Sequence, residues 1–451
     1  MAVRAKEVTK LAMDGGRKAV KSLTPSDMKI GIDDIMEVLD LWKVSRKGAD
    51  KIKAILEKES LINPTMFRYY NPRSKVEKAE KAFAAKIGTK YALAVNSGTS
   101  ALIAAYVALG VGPGTEVIVP GFTFFATAAA AVVAKAVPVI AEIDDSFNLD
   151  PNDVARKITP QTKAIAAVHM VGTPADMDPI MEIAREHNLK VIEDCAQADG
   201  TSYKGRRVGS IGDCGCFSLD YYKIITSGEG GFMTTNDELA YIRAQSYHDT
   251  AACWRPDRYA RERVPGELFC GENYRMSELQ GAVALAQIRR MDKKMSAWRR
   301  NKKRIMAGIE KFPGLGFQRV PDPEGEAGFS LTMLYPTAEL AVRAIDALVA
   351  EGVPAGGRKD KTVRDWHIYS YWEHILEQKT PTPEGCPFTC HVRFGGKLPE
   401  YSPDMCPKTI DYLHRSVRVS IGENYSKEEC DSIALGINKV NESLLGQGQS
   451  N

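Results

Sequence analysis

Phe217-Ser218-Leu219-Asp220-Tyr221-Tyr222-Lys223-Ile224-Ile225-Thr226-Ser227-Gly228-Glu229-Gly230-Gly231 is an apolar, strand-like run followed by a lysine and a glycine-rich turn. That setting suits a buried amine and is a poor one for a solvated charge. A desolvated lysine loses proton affinity and condenses with aldehydes, so Lys223 reads as a Schiff-base lysine, with Ser218 upstream on the same loop. An isolated lysine in a turn is ordinarily a surface charge. Its companions along the chain decide between the two readings.

Working outward, the chain from Tyr91 to about Asp237 alternates short β-rich runs with helical stretches. The strand candidates are Tyr91–Val95, Glu116–Pro120, Val137–Ile143, Ala164–His169, Lys190–Glu193, Gly215–Leu219 and Gly231–Thr235. Most are continuous apolar runs bounded by glycine, proline or asparagine, the pattern of strands covered on both faces. An α/β domain with a mostly parallel seven-stranded sheet is expected. Ligands in such sheets sit beyond the carboxyl ends of the strands, and three motifs fall there. Asn96-Ser97-Gly98-Thr99-Ser100 opens a helix with small residues and free backbone N–H groups, which suits a phosphate as well as a plain capped helix. It carries no Walker lysine and fails the dinucleotide spacing, which disfavours a nucleotide. Pro120-Gly121-Phe122-Thr123-Phe124 offers aromatics that serve either as core or as a cover for a flat ring. Val191-Ile192-Glu193-Asp194-Cys195-Ala196-Gln197 ends a strand in carboxylates, one of which can hold a ring nitrogen protonated.

In this order, Asn96-Ser97-Gly98-Thr99, Thr123-Phe124, Glu193-Asp194-Cys195-Ala196-Gln197, Ser218 with Lys223, Gly228-Glu229-Gly230-Gly231 and Gly271-Glu272-Asn273-Tyr274-Arg275-Met276 resemble the motifs of the DegT/StrS family of pyridoxal-phosphate sugar aminotransferases. The resemblance covers nearly the whole chain. It implies a fold type I architecture, with a large cofactor domain, a smaller α+β C-terminal domain, and a homodimer with active sites at the subunit interface. It also implies roles. Lys223 forms the internal aldimine with pyridoxal 5'-phosphate, Asp194 pairs with the pyridine nitrogen, and Gln197 lies near the phenolic oxygen. Gly98, Thr99 and Ser218 bind the phosphate, Phe124 lies over the ring, and Asn273 reaches across from a second subunit. Family members often carry asparagine after the lysine, where this chain has Ile224. Within the fold, Lys223 argues against the sugar dehydratases, which have histidine there, and Tyr222 against a cysteine desulfurase.

The implied activity is ping-pong transfer of an amino group from glutamate or glutamine to a keto or aldehyde carbon of a sugar or cyclitol. A nucleotide-linked keto-sugar, an inosose and a sugar-acid aldehyde all remain open as acceptor. The rival readings are a non-catalytic regulator that binds pyridoxal phosphate, and another fold type I enzyme acting on a non-sugar substrate. Arg358, His367 and Arg418 are substrate-contact candidates, in a C-terminal third rich in aromatic, basic and histidine residues.

Composition bounds the rest. At 451 residues the chain suits a large domain plus a smaller one, here divided as 1–70 (arm and helices), 71–312 (cofactor domain) and 313–451 (small domain). A net charge of +3, from 60 basic and 57 acidic residues, makes no case for nucleic acid or anionic membrane. The charged start Met1–Glu7 lacks a secretory core, and a cytoplasmic protein is expected. The apolar tract Phe122–Ile143 is broken by Lys135 and Pro138 and reads as a buried helix and strand. The nine cysteines show no zinc-type spacing. Cys386 to His391 is their one local cluster, and no metal is assigned.

Overall fold

The computed structural model describes residues 10–22, 30–59, 67–71, 73–250, 252–360 and 362–446, so the charged start at 1–7 lies outside the described residues. The chain divides into two compact units, Met1–Asn71 and Pro72–Asn451. The first contains helices Ile32–Asp40 and Arg46–Glu59, linked by a Lys53–Asp33 ion pair at 2.7 Å.

The second unit carries the seven expected strands in one sheet. They are β1 (Tyr91–Val95), β2 (Glu116–Pro120), β3 (Val137–Ala141), β4 (Thr162–Val168), β5 (Lys190–Asp194), β6 (Cys214–Ser218) and β7 (Gly231–Thr235). The spatial order is β1-β7-β6-β5-β4-β2-β3. Only β7 runs against the others. β2, β3, β6 and β7 are buried along their whole lengths, which is why they read as unbroken apolar runs.

Helix Gly98–Ala108 returns across one face almost wholly buried, and helix Ala126–Val133 packs beside it. Alanine dominates both because two helices and a sheet meet there at close range. The tract 122–143 is therefore a buried helix followed by a strand. No helix among the described residues is long and apolar enough to cross a membrane. At the open edge the Ala94 amide of β1 donates to Glu80 Oε1 at 2.8 Å, which ends sheet pairing there. Ser74 caps helix Lys75–Ile87 by accepting from the Glu77 amide at 3.0 Å. The reciprocal partner is Glu278, which accepts from Ser74 Oγ and the Lys75 amide at 2.5 Å each.

Helix Glu278–Gly308 leads to a second, antiparallel sheet. Its strands are β8 (Gly316–Phe317), β9 (Ser330–Leu334), β10 (Ala355–Gly357) and β11 (Ser416–Ser420), in the order β8-β9-β11-β10. Along β11, Val417 and Val419 are fully buried in a core shared with helices Ala338–Ala350 and Lys427–Leu445. The alternate residues, Arg418 and Ser420, face the cavity described next.

Candidate active site

A cavity of about 630 Å³ lies where the carboxyl ends of β1, β2, β4, β5 and β6 converge, roofed by β9 and β11. Of the residues singled out in the sequence, Gly98, Thr99, Phe124, Asp194, Gln197, Ser218, Lys223, His367 and Arg418 line it. Arg358 and Asn273 do not.

Its narrowest end is built by close approach. A Cβ on Gly98 would lie 2.7 Å from Ser218 Cβ, and one on Gly231 would lie 2.6 Å from the Ser97 and Phe217 carbonyl oxygens. Only glycine lets the start of helix Gly98–Ala108 press against the end of β6. Ser97 caps that helix by accepting from the Ser100 amide at 3.1 Å, and Ser100 Oγ donates to Asn96 Oδ1 at 2.6 Å. The Gly98 and Thr99 amides have no acceptor among the described residues, so two N–H groups and the helix dipole point at the space beside Ser218 Oγ. That is an anion cradle.

Asp194 ends β5 and is 5% exposed. Its carboxylate accepts from Thr127 Oγ1 at 2.7 Å and from the Ala196 amide at 3.1 Å. Thr127 is itself fully buried and 2.7 Å from Thr123 Oγ1, so the hydroxyl that aims Asp194 is held in turn. Burial pushes the Asp194 carboxyl above its usual range, against the pull of these bonds and of Lys223 and His169. A buried acid of this kind is a ready partner for a cation placed in the cavity. Gln197 Oε1 accepts from the Val171 amide at 3.2 Å. Val171 lines the cavity in the left-handed region, at φ 53°, which is strained for a β-branched residue.

Lys223 follows a tight turn in which the Tyr222 amide donates to Asp220 Oδ1 at 3.0 Å and the Lys223 amide to the Asp220 carbonyl at 3.0 Å. The lysine is half-buried, and its amine has no partner among the described residues. Tyr221 and Tyr222 beside it are 71% and 87% exposed.

The stretch 366–369 reaches the cavity by pairing with 121–125. Thr123 N donates to the His367 carbonyl and Phe125 N to that of Trp366, both at 2.9 Å, and Tyr369 N to that of Gly121 at 3.0 Å. Phe124 is 46% exposed and its ring sits 5.4 Å from His367, tilted. Arg418 Nε is shielded from solvent without a partner among the described residues, and burial works against its charge while Asp365 supports it. Arg358 is spent elsewhere, donating to the Val363 carbonyl at 3.0 Å and lying 5.0 Å over the Tyr371 ring. Asn273 bridges to Asp249, next to the Tyr274 carbonyl that accepts from Asn96 N at 2.8 Å. It lies beside the cradle strand yet outside the cavity.

His169, Glu193 and Cys195 place their ligand atoms within 4.8 Å of one another. Glu193 is already saturated. It accepts from the amides of Gly209, Ile211 and Gly212 at 2.7–2.8 Å and pairs with His169 Nε2 at 3.2 Å, while His169 Nδ1 accepts from Ala175 N at 2.9 Å. His169 is thus a satisfied core residue, and this trio a structural clamp.

Residues 67–370 match the model of the DegT/DnrJ/EryC1/StrS aminotransferase family. The GDP-perosamine synthase of Caulobacter vibrioides is 38% identical over 68% of this chain and 81% of the relative. The L-glutamine:2-deoxy-scyllo-inosose aminotransferase of Streptoalloteichus tenebrarius is 43% identical, over 58% of this chain and 62% of that protein. Among solved structures, an aminotransferase from Psychrobacter cryohalolentis superposes with a TM-score of 0.68 at 28% identity, covering 89% of this chain and 98% of that one. The 3-amino-5-hydroxybenzoic acid synthase gives 0.67 at 29% identity, over 81% and 90%.

Proposed function

Because the chain belongs to the DegT/DnrJ/EryC1/StrS aminotransferase family, we propose that its cavity holds pyridoxal phosphate and moves an amino group from glutamate or glutamine to a carbonyl carbon of a sugar or cyclitol. The observation that carries this reading is convergence. An amine without a partner among the described residues, a buried carboxylate and an anion cradle face one space of about 630 Å³. The donor set fits the cofactor, with Gly98, Thr99 and Ser218 for its phosphate, Asp194 for its ring nitrogen, Gln197 for its phenolic oxygen and Lys223 for its aldehyde.

When bound, pyridoxal phosphate supplies an aldehyde that takes up amines and a ring that draws electrons from the carbon beside them. The protein does the rest. Asp194, aimed by Thr127, holds a proton on the ring nitrogen and so keeps the ring electron-poor. The Lys223 amine would be the base that carries a proton away from the donor's α-carbon and returns it one position along. The start of helix Gly98–Ala108 would hold the cofactor's phosphate, and Lys223 is the residue that would take its aldehyde. Arg418, with Ser330 and Ser420 beside it on the roof, is the group for a substrate carboxylate or hydroxyl, and His367 stands at the mouth. Phe124 would supply an aromatic face to the cofactor ring.

Two copies complete the site. Asn273 lies outside its own cavity, and the exposed Tyr221 and Tyr222 beside Lys223 leave an aromatic surface for a second subunit to cover. The relatives named above are a GDP-perosamine synthase and a deoxy-scyllo-inosose aminotransferase. Either a nucleotide-linked keto-sugar or a keto-cyclitol is therefore an acceptor of the right class, as is a sugar-acid aldehyde. The test is a single turnover without acceptor. Glutamate should release about one 2-oxoglutarate per loaded site and then stop until a carbonyl acceptor is added. No release with either donor would reject the proposal.

A further inference from the structure

Val171 holds a left-handed backbone, φ 53° and ψ 35°, that a β-branched side chain ordinarily avoids. Such strain persists only where the surroundings over-determine it. Here Asn148, Ala327 and His169 do so. Asn148, 0% exposed, accepts from Met170 N at 2.8 Å and donates through Nδ2 to the Thr173 and Pro174 carbonyls at 3.3 and 3.2 Å, so one side chain grips the turn on both sides of Val171. Ala327 N donates to the Gly172 carbonyl at 2.8 Å, and a Cβ on Gly172 would lie 2.5 Å from Ala327 Cβ and 2.6 Å from Phe329 Cε1. His169 Nδ1 accepts from Ala175 N at 2.9 Å. With the chain pinned at Met170 and again from Gly172 to Ala175, any change in the Val171 φ has to turn the peptide between Met170 and Val171, and with it the Val171 N–H.

That N–H is the one that donates to Gln197 Oε1, at 3.2 Å, and both residues line the cavity. A backbone N–H can only donate, so it decides which end of the Gln197 amide it meets. The oxygen is taken. Nε2, with two hydrogens and no acceptor among the described residues, is the end left over.

We propose that the strained turn at Val171 is a positioning device for Gln197, holding the side-chain amide with its donor end toward the cofactor's phenolic oxygen. This rests on the reading of the cavity as the pyridoxal phosphate site. A donor there draws charge from the phenolic oxygen and weakens its hold on the proton shared with the Lys223 nitrogen, which then gives that proton up to solvent at lower pH. Asp194, Asp220, Tyr222, Glu229, His367 and Arg418 are the other charged or titratable groups on the cavity wall among the described residues. All six are unchanged in the variants below, so a difference in titration midpoint belongs to Gln197.

The test is a pH titration of the visible absorbance of the full-length, cofactor-loaded protein without substrate. Val171→2-hydroxyisovalerate exchanges the peptide for an ester, which keeps the side chain and removes the N–H, whereas Gln197→Leu removes the donor itself. Each should raise the midpoint by about one unit, a tenfold gain in proton affinity. The two together should raise it no further than the larger single effect, because one acts through the other. Borohydride should still fix the cofactor to Lys223 in all three proteins. A lower melting temperature of the ester variant with an unmoved midpoint would make the turn purely structural and overturn the proposal, as would an unmoved midpoint in Gln197→Leu or two effects that add. Wild-type protein left unlabelled at Lys223 would overturn the functional reading along with it. A labelled wild type whose variants titrate as it does would overturn the positioning role alone.

Discussion

Gly98→Ala adds one carbon at the tightest point of the anion cradle. That carbon would lie 2.7 Å from Ser218 Cβ, 3.1 Å from its Oγ and 3.2 Å from its Cα. Rotating the serine side chain relieves only the contact to Oγ, because Cβ and Cα are fixed to β6. The start of helix Gly98–Ala108 must retreat, carrying the two free amides with it. Overpacking of this kind costs about 1–3 kcal/mol. Charged to the cradle, that is a cofactor affinity about 5- to 150-fold weaker. The assay is titration of cofactor-free protein with pyridoxal phosphate, followed by absorbance, with a thermal melt to show that the fold survives. Adding Ser218→Gly removes the obstruction together with one phosphate ligand, so the double variant should recover part of the loss. Wild-type affinity in a folded Gly98→Ala protein would refute the placement of the phosphate.

Asp194→Asn should keep bound cofactor and lose most of the single-turnover rate, whereas a wild-type rate would remove Asp194 from the ring nitrogen. Thr127→Val deletes the hydroxyl that aims this carboxylate, and since hydrogen bonds to charged groups are worth about 1.5–3 kcal/mol, the rate should drop roughly tenfold or more. Unchanged kinetics there would show that Asp194 needs no such support. Glu80, half-buried at the sheet edge, is pushed up to about 8 by burial from an ordinary 4.5. A folded-state value above the unfolded one means stability present at low pH and lost as pH rises through about 8. Glu80→Gln should therefore flatten the decline of melting temperature between pH 5 and pH 9, and a decline as steep as wild type would assign it to other groups.

The large sheet was legible because its strands are covered on both faces, so each appears as an apolar run closed by glycine or proline. The strand-end motifs were legible because their chemistry is local. Gly98 and Ser97 belong to one helix start, and Lys223 to one loop. What was not legible depends on partners far apart in sequence. Thr127 reads as one more small residue in an alanine helix until Asp194, 67 positions on, is placed against it. Val171 gives no sign of its left-handed backbone, since β-branched residues ordinarily avoid it. The pairing of 121–125 with 366–369 brings His367 to the mouth, while Arg358, equally basic in the sequence, is turned onto Tyr371. Glu193 and Asp194 are neighbours on one strand, yet the pleat sends one into a structural clamp and the other into the cavity.

The most direct measurement is where the cofactor attaches. Protein incubated with pyridoxal phosphate, reduced with borohydride, digested and mapped by mass spectrometry should carry one pyridoxyl group, on the peptide containing Lys223, and Lys223→Ala should carry none. A label on another lysine, or an equal label in the alanine variant, would contradict the assignment on which the cavity's chemistry depends.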